Sequence, residues 1–451
     1  NNQGDYNTKF LGRLFGLQFT DNSRLTLFAN ANNLNNNDTP DEYGEAALTQ
    51  SEGLMTTYKF GGNYLTDKED KYRYQGGIEG TYTDAEHASS SSGVEFLENG
   101  DIFTRFFHTQ REYNWDLESR HQLTLMHREN IADVIKNLYA FLSPSINYKK
   151  WNNHSASANV TLSEDMASLW GEDWMDSITA PQAGDVLKHH AINRTISNSK
   201  GKGDEMTIRT LGYFMFTPAY NDYVDFNIDI HHEYSKRENK NFTHYLLDHP
   251  ASETISADFR NQYTPAKNQT NYLGITPQVS LSLDKNHKHR ISASYSFNYN
   301  YRNSNQPLYL LNKLEEWGQE GSNGKTHPLG TLPSMEEMLL TLDANNSSDS
   351  KNTTYTHTPR INYTFNFGNK QDDIDNHIAI GLYMPMAHEN LDYHRGTQVD
   401  TVMSRSTAFL NTNIMFSHST YMTGRSFSAG YNLSQSAPTM TSMLNIRDDR
   451  N

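Results

Sequence analysis

Cysteine is absent from the 451 residues, which removes disulfides, thiolate nucleophiles and Cys-type zinc sites at once. No run of about 18 apolar residues occurs, so the chain offers neither a transmembrane helix nor a signal-peptide core. If the protein is exported, its leader has been removed or lies outside this stretch. Positive charge is also scarce: 38 Lys and Arg against 53 Asp and Glu leave a net charge of −15. That field repels phosphate polymers and argues against a nucleic-acid partner. With 35 % hydrophobic residues and a mean hydropathy of −0.79, the chain is too polar for a helical membrane protein. Yet aromatics reach 12 %, including 27 Tyr, which is too many for a disordered chain.

What the sequence does have is alternation. In "HKHRISASYSFNYNYR", Ile291, Ala293, Tyr295, Phe297, Tyr299 and Tyr301 interleave with Ser292, Ser294, Ser296, Asn298 and Asn300. A period of two places these sets on opposite faces of a strand, one apolar and one polar. Just before it, Leu273, Ile275, Val279, Leu281 and Leu283 interleave with Gly274, Thr276, Gln278, Ser280 and Ser282, and "DKNHK" between the two reads as a hairpin turn. "YVDFNIDIHHEY", "YTHTPRINYTFNF", "YRYQGGIEGTY" and "FSAGYNL" repeat the device. About sixteen segments of roughly 10 to 15 residues are expected on this pattern, near the length of tilted transmembrane strands.

Connections alternate as well. Short turns are expected at 20–24, 66–71, 113–119, near Asn152, at 218–222, 284–288, around Asp372 and near His418. Longer loops are expected at 34–53, 84–100, 164–204, 237–270, 303–353 and 389–402. Turns on one rim and loops on the other predict an all-β, transmembrane antiparallel up-and-down β-barrel with periplasmic turns and extracellular loops, forming one domain over residues 1–451. A soluble propeller or sandwich is the alternative, but its inward faces would need enough Val and Leu to fill a dry core. The polar sets here are Ser, Thr, Asn, Gly, Asp and Glu, suited to a wet lumen. Arg13 shares the parity of Leu11, Phe15 and Leu17; facing lipid at mid-depth it would cost about 2–4 kcal/mol, so a rim position or a bulge is expected there.

Chemical motifs are few. "WGQEGSNGKT" fails the phosphate-binding loop pattern because Gln319 stands where a Gly is required. His189 with His190, His231 with His232, and His287 with His289 are the nearest approaches to metal clusters. His231 and His232, neighbours on a strand, point to opposite faces and cannot share an ion, while His287 and His289 could chelate or simply be solvated at a turn-side rim. No metal and no cofactor is expected. Asp225, Asp229 and Glu233 form a column on the polar face, too widely spaced for joint acid–base work and suited either to attracting cations and polar solutes or to being solvated wall. Trp170, Trp174 and Trp317 lie in expected loops as candidate ligand-stacking groups. Packing within their own loops is the alternative for the two in "SLWGEDWMD", and for "PSMEEMLLTLDAN", where Ser334 and Glu337 predict a capping box.

Two stretches carry a resemblance. "FTDNSRLTLFANANNLNNNDTPDEYG" and "YNLSQSAPTMTSMLNIRDDRN" resemble the barrel of Bacteroidota TonB-dependent outer-membrane receptors. The resemblance implies a barrel commonly of twenty-two strands, closed by an N-terminal plug, energised by TonB and importing a glycan, peptide or metal chelate without covalent chemistry. A surface lipoprotein partner is compatible with it. The chain shows no plug, no TonB box and no aromatic closing strand, so it is expected to be the barrel portion of a longer protein in the outer membrane. A plugless porin or surface adhesion and assembly scaffold, and a soluble β-rich glycan-binding protein, are the competing expectations.

Overall fold

The computed structural model describes residues 9–34, 54–68, 71–98, 100–127, 135–164, 174–180, 183–219, 223–252, 254–318, 327–368, 374–396, 399–420 and 425–440. Of these, 76 % are strand and 7 % helix, and the strands make one antiparallel sheet of 17 segments. Among the described residues no helix is long and apolar enough to cross a membrane.

The sheet is a meander. Strands β1 (Leu11–Thr20), β2 (Ser23–Asn32), β3 (Leu54–Lys68), β4 (Tyr72–Glu95) and β5 (Ile102–His127) pair each with the next. So do β6 (Ile135–Leu162), β7 (Ala191–Pro218), β8 (Val224–Asp248), β9 (Asp258–Ser282) and β10 (His289–Gln306). The two-residue β11 (Tyr309–Leu310) extends the β9 edge, and β12 (Ser348–Asn366) takes the place beside β10. One half of β12 pairs with β13 (Ile374–Tyr383) and the other with β14 (Met386–Arg395), which form one line interrupted at Met384 and Pro385. Next come β15 (Val399–Ala408) and β16 (Asn411–Thr420), interrupted at the same height, and last β17 (Arg425–Leu433). Counting each interrupted pair as one strand and β11 as an addition to β9, the sheet is fourteen lines wide. Among the described residues no ladder joins β1 to β17, and both are exposed along their length.

Several boundaries differ from the sequence expectation. Residues 113–119 lie inside β5 and Asn152 inside β6. Asn152 and Asn153 are held between Tyr113 and Glu112 on one side and Lys202 and Gly201 on the other, so two ladders override the turn preference of asparagine. His418 lies within β16, where it bonds Asn376 Oδ1 at 2.7 Å. The loops expected at 84–100, 164–204, 237–270 and 389–402 give up much of their length to strand, and β4 to β9 reach 24 to 28 residues rather than 10 to 15. On one rim every connection is short; on the other they range from 396–398 to the excursion 307–347.

Directly opposed residues share a face, so the registers define the two faces without ambiguity. The apolar face carries Leu142 and Ile146 of β6, Ile208 and Phe214 of β7, Ile228 and Ile230 of β8, Ile275 and Val279 of β9, and Ala293 and Phe297 of β10. Arg13 is a correction. It stands opposite Asn30, which stands opposite Lys59, so it belongs to the polar face with Leu11, Phe15 and Leu17 beside it, and no bulge is needed.

One contrast divides the apolar face. Near the turn rim it is bare: Leu142 is 46 % and Ile146 48 % exposed. Toward the loop rim the same face of the same strand is covered, with Ala158 at 1 % and Val160 at 0 %. The cover is helix α1 (Trp174–Thr179) and helix α2 (Asp185–His190), whose Ile178 and Leu187 pack on Ala158, Val160, Ile196 and Leu246. On the next strands Phe242 and Tyr263 are covered by Tyr309, Leu311, Trp317 and Met338 from the 307–347 excursion. Met338 belongs to helix α3 (Met335–Leu340), whose Ser334–Glu337 capping box is present as predicted; Met335 and Leu339 remain exposed.

Aromatic rows border the bare band. On the loop side Tyr58, Tyr82 and Trp115 run in sequence at 6.1 and 4.9 Å, and Tyr299 meets Tyr355 at 5.3 Å. On the turn side Tyr64 meets Tyr74, Phe216 stacks on Phe226 at 4.9 Å and His289 stacks on Phe365 at 4.3 Å.

Candidate functional site

The polar face carries the groups able to hold a solute. Alternation puts Asp225, Asp229 and Glu233 on it, as the sequence predicts, and the registers add their neighbours. Arg209 donates to Glu233 from Nε at 2.9 Å and Nη2 at 2.7 Å, and His231 lies 3.8 Å from the same carboxylate. Thr217 Oγ1 donates to Asp225 at 2.8 Å, and Arg290 donates from two strands away at 3.2 Å. Asp229 lies between these pairs, exposed, with no hydrogen bond or ion pair among the described residues. The column is therefore not a catalytic set: two members are neutralised and the third presents an open carboxylate about 13 Å from each along the strand.

Two clefts open on this face. One, of about 370 Å³, spans β3 to β6 and is lined by Asn63, Gln75, Glu79, Glu118, Arg120 and Gln122; Lys59 pairs with Glu79 at 2.9 Å beside it. The other, of about 420 Å³, includes Tyr272, Asn298, Thr354, Glu389 and Arg405, and is bounded by residues 435–439, which cross the face after β17. That strap is latched at three points. Gln435 N–H donates to Asn411 Oδ1 at 2.8 Å, Arg405 donates to the Pro438 carbonyl at 2.6 Å, and the Met440 N–H reaches the Glu389 carboxylate at 3.3 Å. Glu389, 7 % exposed, also accepts from Arg405 at 2.9 Å and from Asn352 at 3.0 Å. Amide and hydroxyl groups with one buried ion pair suit a polar, hydrogen-bonding solute.

Compared with known proteins, the chain matches no family model and no curated protein.

The tryptophans divide. Trp170 and the phosphate-loop-like residues 319–326 lie outside the described residues. Trp174 opens α1. Trp317 is 7 % exposed and stacks on His327 at 4.0 Å, which makes it part of a loop core. No group of three metal-ligating side chains occurs among the described residues. Sequence reading missed Glu389 and Arg405: each is an ordinary polar member of an alternating strand, and only the strap distinguishes them.

Proposed function

We propose that the chain forms the wall of an outer-membrane β-barrel transporter of the TonB-dependent receptor type, binding a polar nutrient such as a glycan, peptide or metal chelate along its polar face and passing it inward without covalent chemistry. The observation that carries this reading is the bare apolar band between two aromatic rows. Water gives no reason to leave Leu142, Ile146 and Ile230 uncovered where the same face is roofed further along. A hydrocarbon layer does, and aromatic girdles border such layers. Tyr74 and Tyr82 are eight residues apart and Phe365 and Tyr355 ten. At about 3.3 Å per residue and a tilt of about 45° these spacings give a band of about 19 to 23 Å, close to the ~25 Å of known barrels.

In this arrangement the polar face is the lumen and the long-loop rim faces outward. The β1 and β17 edges, opposite in direction in a sheet of even width, meet each other or further strands to close the wall. Energy comes from a TonB system, and a surface lipoprotein has the loop rim available. Fractionation of cells making the protein, with heat-modifiable gel migration of the detergent extract, tests this. An outer-membrane species whose mobility shifts on heating is expected; a soluble protein with unchanged mobility would overturn the reading.

A further inference from the structure

Beyond the loop-side aromatic row, the outward-facing side of β6 to β9 changes character before the loop cores begin. Lys150, Asp204, Glu238 and Lys267 stand opposite one another in one row, and Asn152, Lys202, Lys240 and Pro265 in the next. Lys150 is also opposite Trp115, at the level of the aromatic border. One row beyond, Phe242 and Tyr263 are already buried. Between these levels lies a cleft of about 350 Å³ bordered by Lys150, Lys202, Lys240 and Lys267.

Two features of this cleft point to an anion. Lys202 and Lys240 are directly opposed, a placement that costs stability unless a negative group lies between them. None of the four lysines makes an ion pair within 4 Å among the described residues. Two carboxylates, Asp204 and Glu238, also line the cleft, Glu238 being held by Lys236 at 3.0 Å and attracting Lys267 and Lys240 at longer range, so four ammonium groups face two acids. In a chain whose net charge is −15, this belt holds a local excess of cations at the boundary of the apolar band. Their flexible stems let the ammonium groups reach toward a surface below them.

We propose that the Lys150, Lys202, Lys240 and Lys267 cleft binds the phosphate-bearing headgroup of a lipid in the leaflet on the loop side. This rests on the membrane reading above and adds a site to it. The headgroup phosphate lies between Lys202 and Lys240, with Lys150 and Lys267 flanking it and the acyl chains running down the bare band past Tyr148 and Ile146. Asn152 supplies an amide to the polar remainder of the headgroup.

The test uses the full chain in vesicles of phosphatidylcholine with or without phosphatidylglycerol, followed by extraction in neutral detergent and native mass spectrometry of retained lipid. Retained phosphatidylglycerol is expected for the parent chain and about tenfold less for K150Q/K202Q/K240Q/K267Q, with retained phosphatidylcholine equal in both. A charge-matched K68Q/K71Q/K285Q/K288Q variant at the turn rim is expected to behave as the parent. Equal loss in both variants would make the effect one of net charge and overturn the site, as would no preference for phosphatidylglycerol in an inserted protein. Competition by inorganic phosphate as effective as the lipid would overturn the lipid assignment in favour of a free-anion site. Failure of the chain to float with either vesicle would remove the membrane reading itself, and the lipid site with it.

Discussion

Arg194 of β7 and Asp248 of β8 form a sealed pair that fastens the helical cover to the sheet. Arg194 is wholly buried; Nε donates to Asp248 Oδ1 at 3.0 Å while Nη1 donates to the carbonyls of Ile178 at 3.2 Å and Ala180 at 2.8 Å. One guanidinium thus ties two strands to the end of α1. Replacing Arg194 by Ala strands a carboxylate and two carbonyls, at a cost of about 3–5 kcal/mol. The expected outcome is faster amide exchange in residues 174–190 with the rest of the sheet unchanged.

Ile230 separates the two environments argued for the apolar face. It is 41 % exposed, so in a soluble sheet Ile230→Arg would change stability by no more than about 0.5 kcal/mol. In a bilayer the same change near mid-band costs about 2–4 kcal/mol. A lowered unfolding midpoint in lipid vesicles is expected, and unchanged unfolding would count against the membrane.

Asp229 has no hydrogen-bond or ion-pair partner among the described residues, so Asp229→Asn is expected to leave the unfolding free energy within about 0.5 kcal/mol of the parent. If the proposed transporter reading holds, Asp229→Lys in planar lipid bilayers should reduce the preference of any conductance for cations, because the open carboxylate on the polar face is replaced by its opposite. Glu233→Gln, already neutralised in the parent by Arg209, should do so less.

Glu389 holds the strap. Removing its carboxylate leaves Arg405, Asn352 and the Met440 N–H without their common acceptor. Glu389→Ala is expected to release residues 434–440, read as rapid deuterium uptake there, and to cost about 2–4 kcal/mol.

Asp284 gives the hairpin between β9 and β10 a pH dependence. Backbone N–H donation, chiefly from His289 and also from Lys288 and Asn286, holds its carboxyl below the usual 3.8. A depressed acid stabilises the folded turn above that value and loses the contribution as pH falls through its lower folded value. A transition of the His289 amide resonance is therefore expected below about pH 3.8, and Asp284→Asn should abolish that transition.

The strand pattern was legible where a strand is bordered by a plain turn. Ile291 to Tyr301 and Leu273 to Leu281 occupy one face of a real hairpin because "DKNHK" offers no competing partner. The capping box at Ser334 was legible because its two hydrogen bonds are local. Asn152 was not, since its conformation is set by β5 and β7, residues that no local window contains. Nor could alternation show which apolar residues are roofed: Ile146 and Val160 obey the same parity on one strand and differ only in what the loops bring to them. Glu389 and Arg405 became a site only through residues some thirty to fifty positions later.

The meander also permits a local route to the folded sheet. From β1 to β10 each line waits only for its immediate successor, so the wall can be assembled hairpin by hairpin, with little entropy lost in each closure. The interval 307–347 between β10 and β12 is the exception, and closing it is the largest single entropic step on that path. Because such a step grows only logarithmically, doubling this interval adds about 0.6 kcal/mol. Evolution is therefore free to lengthen this excursion while every strand of the sheet keeps its neighbour.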